Sequence, residues 1–285
     1  MEKIATEVAV WWAVLCVLGI FNVCVWGFSS WVFMRMKERS PSHFAKRFPH
    51  VLLSAGYVLG CAFRGLLPRA DVQRIVLYDS WLSSVFVGRS VATIAELCFV
   101  AQWALLLHEL GSADEDKLVT RISLVVVPLI VVAETCSWYA VITTSYLGNA
   151  MEQSLWTFTA GLMAFALVVL WRRTTDRAHR TFLAAAVVVC VGFVAFMCTV
   201  DVPMYLTRWQ ADELSGRAYF SFLDGLRDVS TRWVVTHSYQ DWHEEIAWMT
   251  LYFSVAVWIS LYLVHAPVRA PIALSAVERH SDRPR

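Results

Sequence analysis

The chain has 285 residues, of which 58% are hydrophobic and only 16% are charged. This composition excludes an ordinary soluble domain and indicates a protein whose surroundings are lipid. The formal net charge is +1, and the charged residues concentrate between long apolar segments, so the charge gives no reason to expect a nucleic-acid partner.

Seven apolar segments are long enough to cross a membrane, which takes about 20 residues of helix. In chain order they cover residues 8–33, 51–67, 81–107, 122–146, 150–171, 181–206 and 245–265. The second is the shortest and contains Arg64, so its bounds are the least well defined. We therefore predict an all-α integral membrane protein, with residues 1–266 forming a seven-transmembrane-helix bundle and residues 267–285 forming a disordered cytoplasmic tail.

The basic residues are divided unequally between the two sides of such a bundle. Fifteen fall in the connections after the first, third and fifth segments and in the tail, whereas seven fall near the N-terminus and in the other connections. The side with more arginine and lysine is cytoplasmic by the positive-inside rule. This distribution predicts an N-terminus outside and a C-terminus in the cytoplasm, which requires an odd number of spans.

The connection between the sixth and seventh segments, residues 207–244, is the only long hydrophilic one. Apolar side chains recur in it at helical spacing, namely at Tyr219, Phe222, Leu223, Leu226, Val229 and Trp233. Such spacing predicts an amphipathic outer helix between spans six and seven. That helix either covers the bundle or controls access to it.

Several ionisable side chains lie inside the predicted spans, where they are costly unless they face one another or a cavity. Arg89 and Glu96 are seven residues apart on the third span and therefore share a helix face. Glu134 lies near the middle of the fourth span, on one stripe with Trp138, and Arg64 of the second span is a candidate partner for it. This pattern predicts a buried network of arginines and carboxylates.

Further polar residues lie at the outer ends of the later spans. Glu152 begins the fifth span, Asp201 and Tyr205 end the sixth, and His237 and His243 precede or begin the seventh. These ends converge on one face of a seven-helix bundle, so we predict a polar pocket that opens to the outside. His237, His243 and Asp201 could together hold a divalent metal, although the sequence has no HExxH motif and their spacing is not specific.

Three functions are compatible with this pocket. The first is a membrane-embedded enzyme acting on a lipid or another amphiphile, its small-molecule or lipid substrate entering from the membrane. The second is a proton-coupled transporter or permease that uses Glu96 and Glu134, and the third is a seven-helix receptor or sensor without catalysis. For the enzyme, the catalytic candidates are His237, His243, Glu134 and Asp201, and the substrate-binding candidates are Arg64, Arg89, Glu96, Trp138, Glu152 and Tyr205.

Overall fold

The computed structural model describes residues 5–37 and 40–266, and within them the chain is almost entirely helical. This confirms the predicted all-α membrane-like fold. The predicted tail, residues 267–285, lies outside the described residues. The helices are α1 (Thr6–Arg35), α2 (Pro41–Leu66), α3 (Val85–Ala113), α4 (Lys117–Thr143), α5 (Tyr146–Arg173), α6 (Arg177–Phe196), α7 (Val202–Ser215), α8 (Phe222–Thr231), α9 (Tyr239–Leu251) and α10 (Val257–Val264).

Two of the long helices contain a π turn, in which one extra residue is accommodated within the helix. The segment Met197–Asp201 joins α6 to α7, so that one helix runs for 39 residues from Arg177 to Ser215. The segment Tyr252–Ala256 joins α9 to α10 in the same way. The helix predicted over 181–206 therefore continues nine residues further into the outer connection.

Six helices are long and apolar enough to cross a membrane: α1, α3, α4, α5, the joined α6–α7 and the joined α9–α10. Helix α2, which contains the predicted second span, has 26 residues but is not among them. Its sequence includes Lys46, Arg47 and Arg64, which lower its hydropathy. The architecture is thus that of a multi-pass membrane protein with six clearly apolar long helices.

Consecutive helices from α1 to α6 pack as neighbours, and α10 returns to pack against α2. Several helix starts are fixed by side-chain caps, which satisfy otherwise unpaired backbone N–H groups. The carboxylate of Asp116 accepts hydrogen bonds from the N–H groups of Leu118 and Val119 at 2.9 and 3.1 Å, and it also pairs with Arg173 at the end of α5 at 2.6 Å. This ion pair holds the start of α4 and the end of α5 together.

A small three-stranded sheet lies at one end of the bundle, which we call the sheet end. Strand β1 (Arg69–Ala70) pairs antiparallel with β2 (Ile75–Val76), and β2 pairs parallel with β3 (Val234–Val235). The N–H of Ala5 donates to the carbonyl of His237 at 3.2 Å, so α1 begins at this end. At the opposite end the guanidinium of Arg47 donates to the carbonyl of Ala266. The start of α1 and the end of α10 therefore lie at opposite ends.

The predicted amphipathic helix exists as the ten-residue α8. It packs against α3 and α4 through Gly225 and Val229, which are buried, while Leu223 remains 71% exposed. Arg74 joins α8 to the sheet because its Nε donates to the Asp228 carboxylate at 2.7 Å. The helix is thus attached to the sheet end of the bundle.

Candidate functional site

Three carboxylates from three helices converge on one guanidinium near the sheet end. The Nη2 atom of Arg89 on α3 lies 2.6 Å from Glu134 Oε2, 3.0 Å from Glu96 Oε2 and 3.4 Å from Glu152 Oε1. All four side chains are buried. We call these four residues the carboxylate cluster.

The sequence of α3 and α4 accounts for this arrangement. Arg89, Thr93 and Glu96 recur at helical spacing on α3, so their side chains face α4 together. The Thr93 hydroxyl donates to Glu134 Oε2 at 2.6 Å, and Trp138 Nε1 donates to Thr93 Oγ1 at 3.2 Å. Charged partners and hydrogen bonds satisfy most of these groups, and only Arg89 Nε and Glu134 Oε1 among them have no hydrogen-bond partner among the described residues.

A second set of residues extends the cluster toward α2, α5 and the π turn of α9–α10. Arg64 Nη1 lies 3.6 Å from Glu96 Oε1, and the Tyr252 hydroxyl donates to the same oxygen at 3.1 Å. Asn149 Nδ2 donates to Glu152 Oε2 at 3.3 Å. The predicted network of arginines and carboxylates is therefore present, but the prediction of its pairs was incomplete: Glu134 pairs with Arg89 and not with Arg64.

The cluster also bears on the predicted metal. Glu96, Glu134 and Glu152 each offer an oxygen within 4.8 Å of the others, and this is the only such group of three potential ligands in the part of the chain that the structure describes. However, Arg89 Nη2 already lies within 3.4 Å of an oxygen of each carboxylate. A guanidinium thus supplies the positive charge that a metal ion would supply there.

A polar cavity of about 110 Å³ lies between the cluster and the sheet end. Its wall carries four arginines and four carboxylates, together with tyrosines from α5, α7 and the π turn. The charged residues of the wall are Arg64, Arg69, Arg89, Arg208, Asp71, Glu96, Glu152 and Glu245. This cavity contains five residues of the predicted polar pocket, Arg64, Arg89, Glu96, Glu152 and Tyr205, but neither of its two histidines.

An apolar cavity of about 160 Å³ lies on the other side of the cluster. Aromatic and aliphatic side chains from α3, α5, α6 and α9–α10 form its wall, among them Phe99, Trp103, Trp156, Met163, Phe193 and Met197. The two cavities share five wall residues, namely Glu96, Glu152, Gln153, Trp248 and Tyr252. The carboxylates Glu96 and Glu152 therefore lie where a polar space meets an apolar one.

The apolar cavity adjoins a cleft of about 850 Å³ between α6 and α10, with which it shares Trp103, Val189 and Ile259. Wall residues such as Val255 and Trp258 are half exposed, so the cleft opens on the surface of the bundle. Aromatic pairs lie along the same helices. Phe196 stacks on Trp248 with ring centroids 6.2 Å apart, and Phe182 lies 5.7 Å from Tyr262. The cleft thus adjoins the apolar cavity, whose wall includes Glu96 and Glu152 of the cluster.

The structure brings together most of the predicted substrate-binding residues. Arg64, Arg89, Glu96, Glu152 and Tyr205 line the polar cavity. Trp138 and the catalytic candidate Glu134 lie behind that wall, connected to it through Thr93 and Arg89.

The remaining candidates lie on neither cavity wall. His237 Nε2 is 3.1 Å from the carbonyl oxygen of Leu77, and His243 Nδ1 is 2.6 Å from the carbonyl oxygen of Gln240. Asp201 lies in the π turn of α6–α7, where its buried Oδ2 has no hydrogen-bond partner among the described residues. Their catalytic or metal-binding roles stay predictions, because none of the three belongs to a group of three potential metal ligands among the described residues.

Sequence reasoning missed the contribution of the connection between α2 and α3. Arg69 and Asp71 line the polar cavity, and Arg69 Nε donates to Asp71 Oδ1 at 2.7 Å. Burial lowers the pKa of Arg69 to about 10, against the opposing effect of Asp71. Burial opposes ionisation of Asp71 too, but the guanidinium groups of Arg69, Arg64 and Arg89 outweigh it and hold the pKa of that carboxyl below its usual value. The only signal in the sequence was that these two charged residues follow the end of the second apolar segment. That pattern is equally typical of a solvated loop.

Comparisons with known proteins give no relative from which a role could be transferred. No protein-family model matches the chain, and searches of curated proteins and of solved structures returned no match. The function therefore has to be inferred from the site itself.

Proposed function

We propose that the chain crosses the membrane seven times, with α2 as the second span and the sheet end outside. The two arginines of α2 support this because they are paired within the bundle: Arg47 with Glu109 at 3.1 Å and Arg64 with Glu96 at 3.6 Å. Charged side chains can be accommodated at membrane depth when they face partners instead of lipid. The excess of basic residues at the opposite end supports the orientation.

Within this bundle, we propose a membrane-embedded enzyme that acts on an amphiphile. The observation that carries the proposal is the junction of the polar and apolar cavities at Glu96 and Glu152. An amphiphile has a polar headgroup and an apolar chain, and these two cavities offer one environment for each. The cleft between α6 and α10 gives the chain a path from the lipid.

The bond between headgroup and chain would then lie beside two carboxylates. A carboxylate in such a position can act as a general base. In the proposed hydrolysis, Glu152 removes a proton from a water molecule as its oxygen attacks the headgroup bond, and the resulting carboxylic acid returns that proton to the leaving oxygen. Glu96, held by Arg64, Arg89 and Tyr252, would position the headgroup.

The packing beyond the apolar cavity favours an enzyme over a transporter. The half of the bundle away from the sheet end is filled by a large hydrophobic cluster of α3, α4, α5 and α6, whose fully buried members include Leu106, Leu107, Ile130 and Leu167. Members of this cluster, among them Val100, Trp103 and Met163, form part of the apolar cavity wall. A proton-coupled transporter needs hydrated access from both ends, whereas the cleft that continues toward the opposite end has an almost entirely apolar wall.

The first experiment tests amphiphile binding. The protein is purified in a mild detergent, and native mass spectrometry identifies amphiphiles that remain bound. Ala160 lies on the apolar cavity wall, so Ala160→Phe fills the chain site and should abolish retention. Ala195→Phe makes the same change at an exposed position of α6 and should retain as much as the natural sequence. Equal retention by both variants would contradict the binding site.

The second experiment tests the chemistry. The retained amphiphile, reconstituted with the protein, should be cleaved in the natural sequence and left intact by Glu152→Gln, which still binds it. If both proteins leave it intact while proteoliposomes acidify or release it in a Glu134-dependent manner, the proton-coupled transporter is the better reading. Binding without either activity would favour the receptor or sensor.

A further inference from the structure

The side chain of Arg69 is buried in an unusual way for an arginine. Its side chain is 1% exposed, and its Nε donates to Asp71 Oδ1 at 2.7 Å. Its two amino groups, Nη1 and Nη2, have no hydrogen-bond partner among the described residues. Buried donors without acceptors are rare in folded proteins, and each calls for a partner such as a ligand or an ion.

The position of this guanidinium is fixed by its surroundings. Gly88, in the first turn of α3, leaves the space that it occupies, because a Cβ atom at that position would overlap the Arg69 guanidinium. Asp71 holds the Nε side through the hydrogen bond described above. The guanidinium is therefore held in one orientation and is not free to swing into solvent.

Arg69 does not act on the cavity alone. Arg64 and Arg208 line the same wall, and neither is fully used: Arg64 Nη1 is 3.6 Å from its carboxylate partner, and Arg208 remains partly exposed although it pairs with Glu244. The wall as a whole carries four arginines and four carboxylates, so its formal charge is balanced. The unfilled donors of Arg69, and not a net positive charge, carry the inference.

We infer that the polar cavity binds a phosphate group, and that the two amino groups of Arg69 hold two of its oxygens. This inference rests on the proposed amphiphile site and specifies its headgroup. The guanidinium fork matches a phosphate in a bidentate manner, which an ammonium group cannot do. Beyond the two oxygens held by Arg69, a phosphate has further oxygens that can accept from Arg64 or Arg208. A carboxylate has only two oxygens, and both would already be bound to Arg69.

The test compares probes that share one chain. Native mass spectrometry of the purified protein measures binding of dodecyl phosphate and dodecyl maltoside, and inorganic phosphate is titrated separately. We expect the natural sequence to prefer dodecyl phosphate. Because hydrogen bonds to charged groups are among the strong ones, Arg69→Gln should weaken its binding about tenfold or more and leave dodecyl maltoside unchanged.

Two further variants distinguish loss of the phosphate contact from loss of folding. Gly88→Ala keeps Arg69 but displaces its guanidinium, so it should also lose the preference for phosphate. Arg227→Gln removes an exposed arginine on α8 and should bind both probes as the natural sequence does. Retained binding of dodecyl maltoside in all variants shows that the bundle and its apolar cavity are intact.

The outcomes separate this inference from the proposed function. If dodecyl phosphate binds no better than dodecyl maltoside, or equally well to Arg69→Gln, the phosphate inference is wrong and the amphiphile site stands. If inorganic phosphate alone binds in an Arg69-dependent manner, the phosphate site is upheld with free phosphate as its source. If no twelve-carbon probe binds and Ala160→Phe has no effect, the amphiphile site itself is wrong.

Discussion

The first prediction concerns Arg89, because its guanidinium is in contact with three buried carboxylates. Arg89→Met keeps much of the side-chain volume but removes the charge that lies within 3.4 Å of Glu96, Glu134 and Glu152. Removing one partner of a buried ion pair typically costs about 3–5 kcal/mol, since the remaining charge is left uncompensated. We expect a loss of this size in the free energy of unfolding, measured in mixed detergent micelles.

The same reasoning predicts a partial rescue. Glu134 makes the shortest contact with Arg89, so Glu134→Gln in the Arg89→Met background removes one uncompensated carboxylate. The double variant should therefore be more stable than Arg89→Met alone by about 1–3 kcal/mol, a coupling expected of groups in one network. Simple additivity of the two single changes would show that the carboxylates do not depend on Arg89.

The control for this experiment is Arg227→Met, which makes the same substitution at an exposed position of α8. Surface changes of this kind usually alter stability by less than about 0.5 kcal/mol. If Arg89→Met is no less stable than Arg227→Met, Arg89 does not stabilise the three buried carboxylates, and the electrostatic account of the cluster is wrong.

Three other predictions test separate parts of the molecule. Gly225→Ala places a Cβ against the backbone carbonyl of Ile142 and should cost about 1–3 kcal/mol of unfolding free energy, whereas Gly161→Ala, with open space around it, should be neutral or stabilising by up to about 1 kcal/mol. A cysteine at Ser215 should react with an impermeant thiol reagent from outside the cell, and reaction only after permeabilisation would reverse the orientation. The pKa of Asp71 is lowered in the folded state, so its contribution to stability is present above its unfolded pKa and is lost as the pH falls through the folded pKa. The free energy of unfolding of Asp71→Asn should therefore depend less steeply on pH in the acid range.

The features that sequence reasoning predicted correctly are local ones. Apolar segments about 20 residues long give the helices, because backbone groups in lipid have to be paired within the segment. The pair Arg89 and Glu96 could be predicted for the same reason, since positions seven apart on a helix share a face. Their distance of 3.0 Å confirms it.

The features that it missed depend on contacts between distant segments. Strand β3 joins the sheet from more than 150 residues away, and two-residue strands leave no alternating pattern to detect. The sequence analysis named Arg64 as the candidate partner of Glu134, but the observed partner is Arg89, because the choice depends on how α2, α3 and α4 pack. His237 illustrates the opposite error: the sequence analysis assigned it to the site, but its Nε2 lies 3.1 Å from the backbone carbonyl oxygen of Leu77, just after β2.

The two π turns lie in the helices that border both cavities, close to where the polar and apolar cavities meet. Each accommodates one extra residue, which rotates the following helix by about 100° relative to a regular helix. In α9–α10 this places Tyr252 against Glu96 while Val257 and Leu261, beyond the turn, pack in the core. In α6–α7 it places Met197 on the apolar wall and Tyr205 on the polar wall. On both helices the lining residues still recur at steps of three or four residues, or a multiple of four, as with Phe193, Met197 and Tyr205 on α6–α7, so one face of each helix borders the cavities through the turn.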